Sequence, residues 1–256
     1  MTFEWVLTPG SAALGTINTS TNLTSADVNS SLVNGTLHLS SLSGNSGDAE
    51  LVQAVGRDED SGTRIQALAC SGLAVGTHLK QNQPLYDGNT TPIIPPPAPG
   101  TQITGAKLWP AVLLNTINYP KGDSGYNGGG PLAAAINVSH SGGRPTYKNW
   151  FLTYFGINDA ATVTTGTIVQ FNGTTYSSSA VENGTYTYWG YEHLFYRASF
   201  SGNGKTAADQ IAANVTSTTA SISGILRSAM TVHRTKDGGP NPVVSKIDGQ
   251  QNSRQP

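Results

Sequence analysis

Residues Val52 to Cys70, VQAVGRDEDSGTRIQALAC, constrain this chain more than any other stretch. The short apolar run Leu51 to Val55 has the length and β-branched content of a strand. Gly56 and Arg57 break it, and Asp58, Glu59 and Asp60 follow. From Ile65 the apolar residues Ile65, Ala67, Leu68 and Ala69 fit a helix, and Ser61 is its natural N-cap because its hydroxyl can accept from a first-turn amide. The expectation is strand, tight loop and helix N-terminus, with an arginine at the strand exit.

The first-turn amides of Gly62, Thr63 and Arg64 have no helical acceptor, and the positive end of the helix dipole adds to them. Such an end attracts anions. Gly62 lets a ligand approach the backbone, Ser61 and Thr63 add hydroxyl donors, and Arg57 can fold back to grip the same anion through its planar fork. Two readings stay open on chemistry alone. One is an anion site; the other is an ordinary capped helix whose arginine pairs with Asp58, Glu59 or Asp60.

The spacing Arg57-x-x-x-Ser61-Gly62-Thr63 resembles the second-lobe motif of phosphate-type periplasmic substrate-binding proteins of ABC importers. Asn22-Leu23-Thr24 ahead of a short helix and Gly35, the stretch Phe155 to Ala160, and Asn183-Gly184-Thr185-Tyr186 resemble further landmarks of that family. The resemblance implies that Arg57, Ser61, Gly62 and Thr63 contact phosphate or a related oxyanion. Glu59 falls where an acidic residue orients the arginine, though aspartate is more usual there. The implied fold is α/β of the type II periplasmic-binding class, with helices on both faces of the sheet. One lobe would be complete and a second partial: residues 1–185 form the motif lobe, 186–238 the returning part of the first lobe, and 239–256 a flexible tail. The chain opens at Phe3 to Leu7, which resembles the strand crossing into the second lobe, so the first segment of lobe one is expected to be missing. The implied role is non-enzymatic binding in an exported, periplasmic or extracellular protein, with an ABC permease as a further partner. An exported structural or surface protein that keeps the scaffold without transport is the alternative.

Composition agrees with export and narrows the partners. Only 11% of the 256 residues are charged and the net charge is −1, which argues against nucleic acid or an acidic membrane as partner. Cys70 is the single cysteine, expected as a small apolar filler on the buried face of the motif helix. His38, His78, His140, His193 and His233 lack metal-ligand spacing, and neither a nucleophile elbow nor a phosphate-loop lysine motif occurs, so no metal, cofactor or catalytic group is expected. Ser61 has no histidine near it in sequence to activate it. Asn18, Asn22, Asn29, Asn34, Asn137, Asn172, Asn183 and Asn214 lie at N-x-Ser/Thr sequences, matches that a chain rich in these residues produces by chance.

Elsewhere Ser25 is expected to cap a helix through about Val33 with Gly35 at its C-terminus, and residues 40–49 to form a loop. Leu79 to Gln102, with Pro92, Pro95, Pro96, Pro97 and Pro99, reads as a polyproline excursion. The glycine-rich run Gly122 to Gly130 reads as a flexible connection, with a second anion-facing loop as the other reading. Trp150 to Phe155, Thr167 to Phe171 and Thr231 to Arg234 read as strands, and Ala207 to Met230 as mostly helix. Tyr186 to Tyr196 is expected as one or two strands exposing Tyr186, Tyr188, Trp189, Tyr191, Leu194, Phe195 and Tyr196. That uncovered aromatic surface would drive self-association or recruit a strand-donating partner.

Overall fold

The apolar run FEWVLT forms strand β1 (Phe3–Thr8), buried along its whole length and therefore covered on both faces. In this computed structural model, residues 1–9, 17–89, 101–114, 116–140, 149–192, 195–217, 224–234 and 243–245 are described. After β1 come β2 (Asn22–Leu23), helix α1 (Ser25–Asn34), β3 (Thr36–His38), α2 (Leu39–Ser43), β4 (Leu51–Val55) and the motif helix α3 (Gly62–Cys70). Then follow β5 (Asn82–Tyr86), β6 (Gln102–Leu108), β7 (Val112–Leu114), β8 (Ile117–Tyr119), α4 (Gly129–Ile136) and β9 (Ser139–His140). The last part holds β10 (Trp150–Gly156), α5 (Ile157–Ala160), β11 (Thr167–Phe171), α6 (Ser178–Glu182), α7 (Gly202–Ser217), β12 (Val232–Arg234) and β13 (Val243–Ser245).

Six strands make one curled, mixed sheet in the order β2-β11-β1-β10-β4-β3. β1 runs antiparallel to β10, with Phe3 opposite Gly156 and Thr8 opposite Phe151. β10 runs parallel to β4, with Trp150 opposite Val52 and Thr153 opposite Val55. The carboxyl ends of β4 and β10 therefore emerge at the same edge, and the motif loop and α5 begin there.

Strand alternation sorts the side chains into two cores. Phe3, Trp5, Leu7, Val52, Ala54, Trp150, Leu152 and Tyr154 face α1, α2, α3 and α6. Val6, Val55, Phe151 and Phe155 face α4 and α5 on the other side. The chain is thus a mixed α/β protein with helices on both faces of its main sheet, as expected.

Several local expectations are corrected. Helix α1 is capped one residue early: Thr24 accepts from the Asp27 amide at 3.2 Å, and the Asp27 carboxylate accepts from the Thr24 amide at 2.9 Å. Gly35 ends α1 at φ +83°, and a Cβ there would stand 2.9 Å from the Lys80 carbonyl oxygen. Residues 39–43 are helical rather than loop. Asn82–Tyr86 forms a strand despite Pro84, which is tolerated because β5 is the edge of its three-stranded sheet. The proline-rich residues 90–100 lie outside the described residues, as do Leu194 and the expected tail except for β13.

Residues 186–190 differ most from expectation. They form no strand and no exposed surface. Tyr186, Tyr188 and Trp189 are all but fully buried in the core beneath β1. The Phe3 amide donates to the Tyr188 carbonyl at 3.2 Å, the Gly190 amide to the Met1 carbonyl at 3.0 Å, and the Tyr186 hydroxyl to the Phe3 carbonyl at 2.6 Å. The segment packs into the first core. Exposed aromatic surface begins later, at Phe195, Tyr196 and Phe200.

Candidate functional site

The β4 chain leaves the sheet at Gly56 under strict steric limits. A Cβ at Gly56 would stand 2.1 Å from Gln81 Oε1 and 2.5 Å from the Tyr154 ring. These two side chains hold the backbone that follows. The Tyr154 hydroxyl donates to Gln81 Oε1 at 2.8 Å and accepts from the Arg57 amide at 3.1 Å. Gln81 Nε2 donates to the Arg57 carbonyl at 3.0 Å and to the Ser124 carbonyl at 2.9 Å. Burial pushes the Tyr154 phenol up to about 12, so it stays a neutral donor.

The glycine-rich run before α4 packs directly on this exit, so it is a wall and not a loose connection. A Cβ at Gly125 would stand 2.2 Å from the Arg57 carbonyl carbon, and Gly122 takes φ +95°. The Tyr126 amide donates to the Gly56 carbonyl at 2.9 Å and the Asp58 amide to the Tyr126 carbonyl at 3.1 Å. The carboxylate of Asp159 lies against Gly129, at the positive end of α4. The Asp159 carboxylate thus stands beside the first turn of α4.

Arg57 is held by main chain. Its Nε donates to the Tyr126 carbonyl at 3.0 Å and Nη2 to the Asn127 carbonyl at 3.2 Å. Among the described residues it makes no ion pair with Asp58, Glu59 or Asp60. Glu59, expected to orient the arginine, accepts instead from the Ser124 hydroxyl at 3.2 Å. Nη1 keeps its donors for another partner. Burial raises the Asp58 carboxyl above the ordinary aspartate range, and Arg57 partly offsets this.

Ser61 is the N-cap of α3 as expected, its hydroxyl accepting from the Arg64 amide at 3.3 Å. It is buried, Thr63 is half-buried and Gly62 is exposed, with no atom within 4 Å of where a Cβ would stand on Gly62. Among the described residues, no protein acceptor takes the Gly62 or Thr63 amide. Cys70 closes the helix half-buried, donating to the Thr187 carbonyl at 3.4 Å.

Sequence reasoning missed the group that fastens this helix to the wall. Arg64 and Asp123 are buried, at 5% and 1% exposure, and form an ion pair. Asp123 also accepts from the Leu79 amide at 2.9 Å and meets His78 Nδ1, while Arg64 Nη1 reaches the Asp123 carbonyl at 3.4 Å. The only sequence signal was a cation in a first helical turn and an acid inside a glycine-rich run, without fixed spacing. The open groove along α1, lined by Ser25, Asn29, Ser30, Val33 and Ser71, lies at the opposite end of α3 from Ser61.

Among the described residues no group of three or more His, Cys, Asp or Glu side chains could hold a metal ion, and no helix is long and apolar enough to cross a membrane. No family model matches the chain, and no curated protein or solved structure is significantly similar to it.

Proposed function

We propose that the chain binds phosphate or a related oxyanion at the N-terminus of α3, without catalysing a reaction, as a lobe of the type II periplasmic-binding class. The observation that carries this reading is a pair of first-turn amides without a protein acceptor at the end of the loop that carries Arg57. The Gly62 and Thr63 amides lack acceptors and the space before Gly62 is open. The guanidinium at the strand exit is positioned by two carbonyls rather than neutralised by a carboxylate. Ser61 and Thr63 supply hydroxyl donors beside those amides. An exported protein delivering its anion to an ABC permease is the setting that this reading proposes.

The exposure of Gly62 leaves a bound anion partly hydrated, so the expected dissociation constant is ~0.1–10 mM, where only a few net kcal/mol survive the cost of association. Isothermal titration with phosphate and sulfate at low salt tests the reading. Arg57→Ala should weaken binding by roughly 1.5–3 kcal/mol, the scale of a hydrogen bond to a charged group, and Arg57→Lys should recover only part. Equal affinity in wild type and Arg57→Ala would overturn the assignment.

The second reading, a surface protein without a ligand, is favoured by one observation. Asp58, Glu59 and Asp60 precede the helix and oppose an anion. It predicts no heat with either anion.

A further inference from the structure

The clamp that holds Arg57 also acts on the peptide bond it grips. Arg57 Nη2 donates at 3.2 Å to the Asn127 carbonyl, which belongs to the Asn127–Gly128 peptide bond. The Asn127 side chain is exposed, and among the described residues nothing bonds that side chain or takes the Gly128 amide. An asparagine ahead of a glycine can lose its side-chain amide, because no Cβ on the next residue shields the attacking backbone nitrogen. That nitrogen attacks as its anion, and a guanidinium on the adjoining carbonyl stabilises the charge it develops. The chain has five Asn–Gly pairs, at Asn34, Asn127, Asn172, Asn183 and Asn203. In three the glycine amide is already committed: Gly35 to the Ser31 carbonyl at 2.8 Å, Gly173 to Asn22 Oδ1 at 2.6 Å and Gly184 to the Val181 carbonyl at 3.1 Å. Asn172 and Asn183 also accept from the Ser25 and Thr185 amides, which fixes their side chains. Asn203 lies in the first turn of α7, where helical ψ holds the next amide away from its own side chain. Of the five, Asn127 alone joins an exposed side chain, an unengaged glycine amide and a cation on the shared carbonyl.

We propose that Asn127 is a self-modification site that converts to isoaspartate, and that the new carboxylate pairs with Arg57. The Gly128 nitrogen forms a bond to Asn127 Cγ, the Cγ–Nδ2 bond breaks, and ammonia leaves with the amide proton. Water from the solvent then opens the cyclic imide. Attack at the main-chain carbonyl carbon, the one that Arg57 polarises, breaks its bond to the Gly128 nitrogen and leaves the chain running through Cγ. The former main-chain carbonyl becomes a free carboxylate with an oxygen already facing Arg57 Nη2. A contact between a cation and a neutral dipole is thereby replaced by an ion pair. It forms at a guanidinium that, among the described residues, pairs with none of Asp58, Glu59 and Asp60. The main chain into Gly128 grows by one methylene, so the modification alters the wall as well as the charge.

Peptide mapping by mass spectrometry of the intact chain, aged in mildly alkaline buffer either folded or in urea, tests this. Each conversion replaces an amide by a carboxylate, a mass change the spectrometer reads, and fragmentation tells isoaspartate from aspartate. In the folded chain the Asn127 peptide should convert first, as isoaspartate, about threefold or more ahead of the other four. In urea the five rates should converge, because the difference between them lies in the fold. Arg57→Gln keeps a donor but removes the charge, so it should slow Asn127 about three- to tenfold in the folded chain and leave Asn203 unchanged. Asn34, Asn172 and Asn183 staying slow in that variant shows that its fold is kept, and the comparison of folded and urea-treated wild type decides the proposal without it. Another pair converting first in the folded chain, the same lead for Asn127 in urea, an Asn127 product without isoaspartate, or an unchanged Asn127 rate in folded Arg57→Gln overturns the proposal.

Discussion

Replacing Asp123 by asparagine should destabilise the protein more than any other isosteric change near the site. Asp123 is 1% exposed, and its carboxylate takes the Leu79 amide, His78 and the guanidinium of Arg64. Asparagine keeps the oxygen that Leu79 and Arg64 share but removes the negative charge, which leaves Arg64, at 5% exposure, a buried cation with no compensating anion among the described residues. Removing one partner of such a pair costs about 3–5 kcal/mol. Arg64→Met should cost less, about 1.5–3 kcal/mol, because Asp123 keeps both the Leu79 amide and its contact with His78 Nδ1. The double variant Arg64→Met/Asp123→Asn should then fall short of the summed single losses by about 1–3 kcal/mol, the coupling expected of residues in one polar network. Urea unfolding followed by tryptophan fluorescence measures all four proteins. Single losses that add to within about 0.5 kcal/mol would refute the claim that the two charges compensate each other.

Other expected outcomes follow from single residues. Glu4 is buried on β1, and burial pushes its carboxyl up to about 7 from an ordinary 4.5. The stability it contributes is therefore complete below about 4.5 and lost as pH rises through about 7, so Glu4→Gln should stabilise the protein at pH 8 by at most about 3 kcal/mol and have little effect at pH 4, as thermal melts at the two pH values would show. Gly56→Ala drives a Cβ into Gln81 and Tyr154 and should cost about 1–3 kcal/mol, whereas Gly62→Ala meets no atom and should stay within about 0.5 kcal/mol in the same melts. Equal losses in the two glycine variants would contradict the packing described around the strand exit.

The parts of this fold that could be read from sequence are those whose cause is local. β1, β10 and β11 follow from apolar runs, and the Ser61 cap of α3 follows from one hydroxyl ahead of an apolar period. Near misses have equally local causes: Thr24 outcompeted Ser25 as N-cap because Asp27 completes a reciprocal pair with it. What escaped is set by distant partners. Asp123 and Arg64 are 59 residues apart, and nothing in either segment names the other. The run Gly122 to Gly130 suggested mobility, yet at Gly125 the absent side chain is what permits contact with the Arg57 backbone. Tyr186, Tyr188 and Trp189 read as uncovered surface because their cover, β1, lies at the other end of the chain.

The most direct test of the anion site is a phosphate titration followed amide by amide in ¹H–¹⁵N NMR spectra of the intact chain. The Gly62 and Thr63 amides should move together, along one saturation curve with a midpoint of ~0.1–10 mM. The Gly129 amide at the start of α4, where the Asp159 carboxylate already stands close by, should stay in place. Motionless Gly62 and Thr63 signals at phosphate about tenfold above that range, or shifts confined to α4, would contradict the assignment of an oxyanion site to α3.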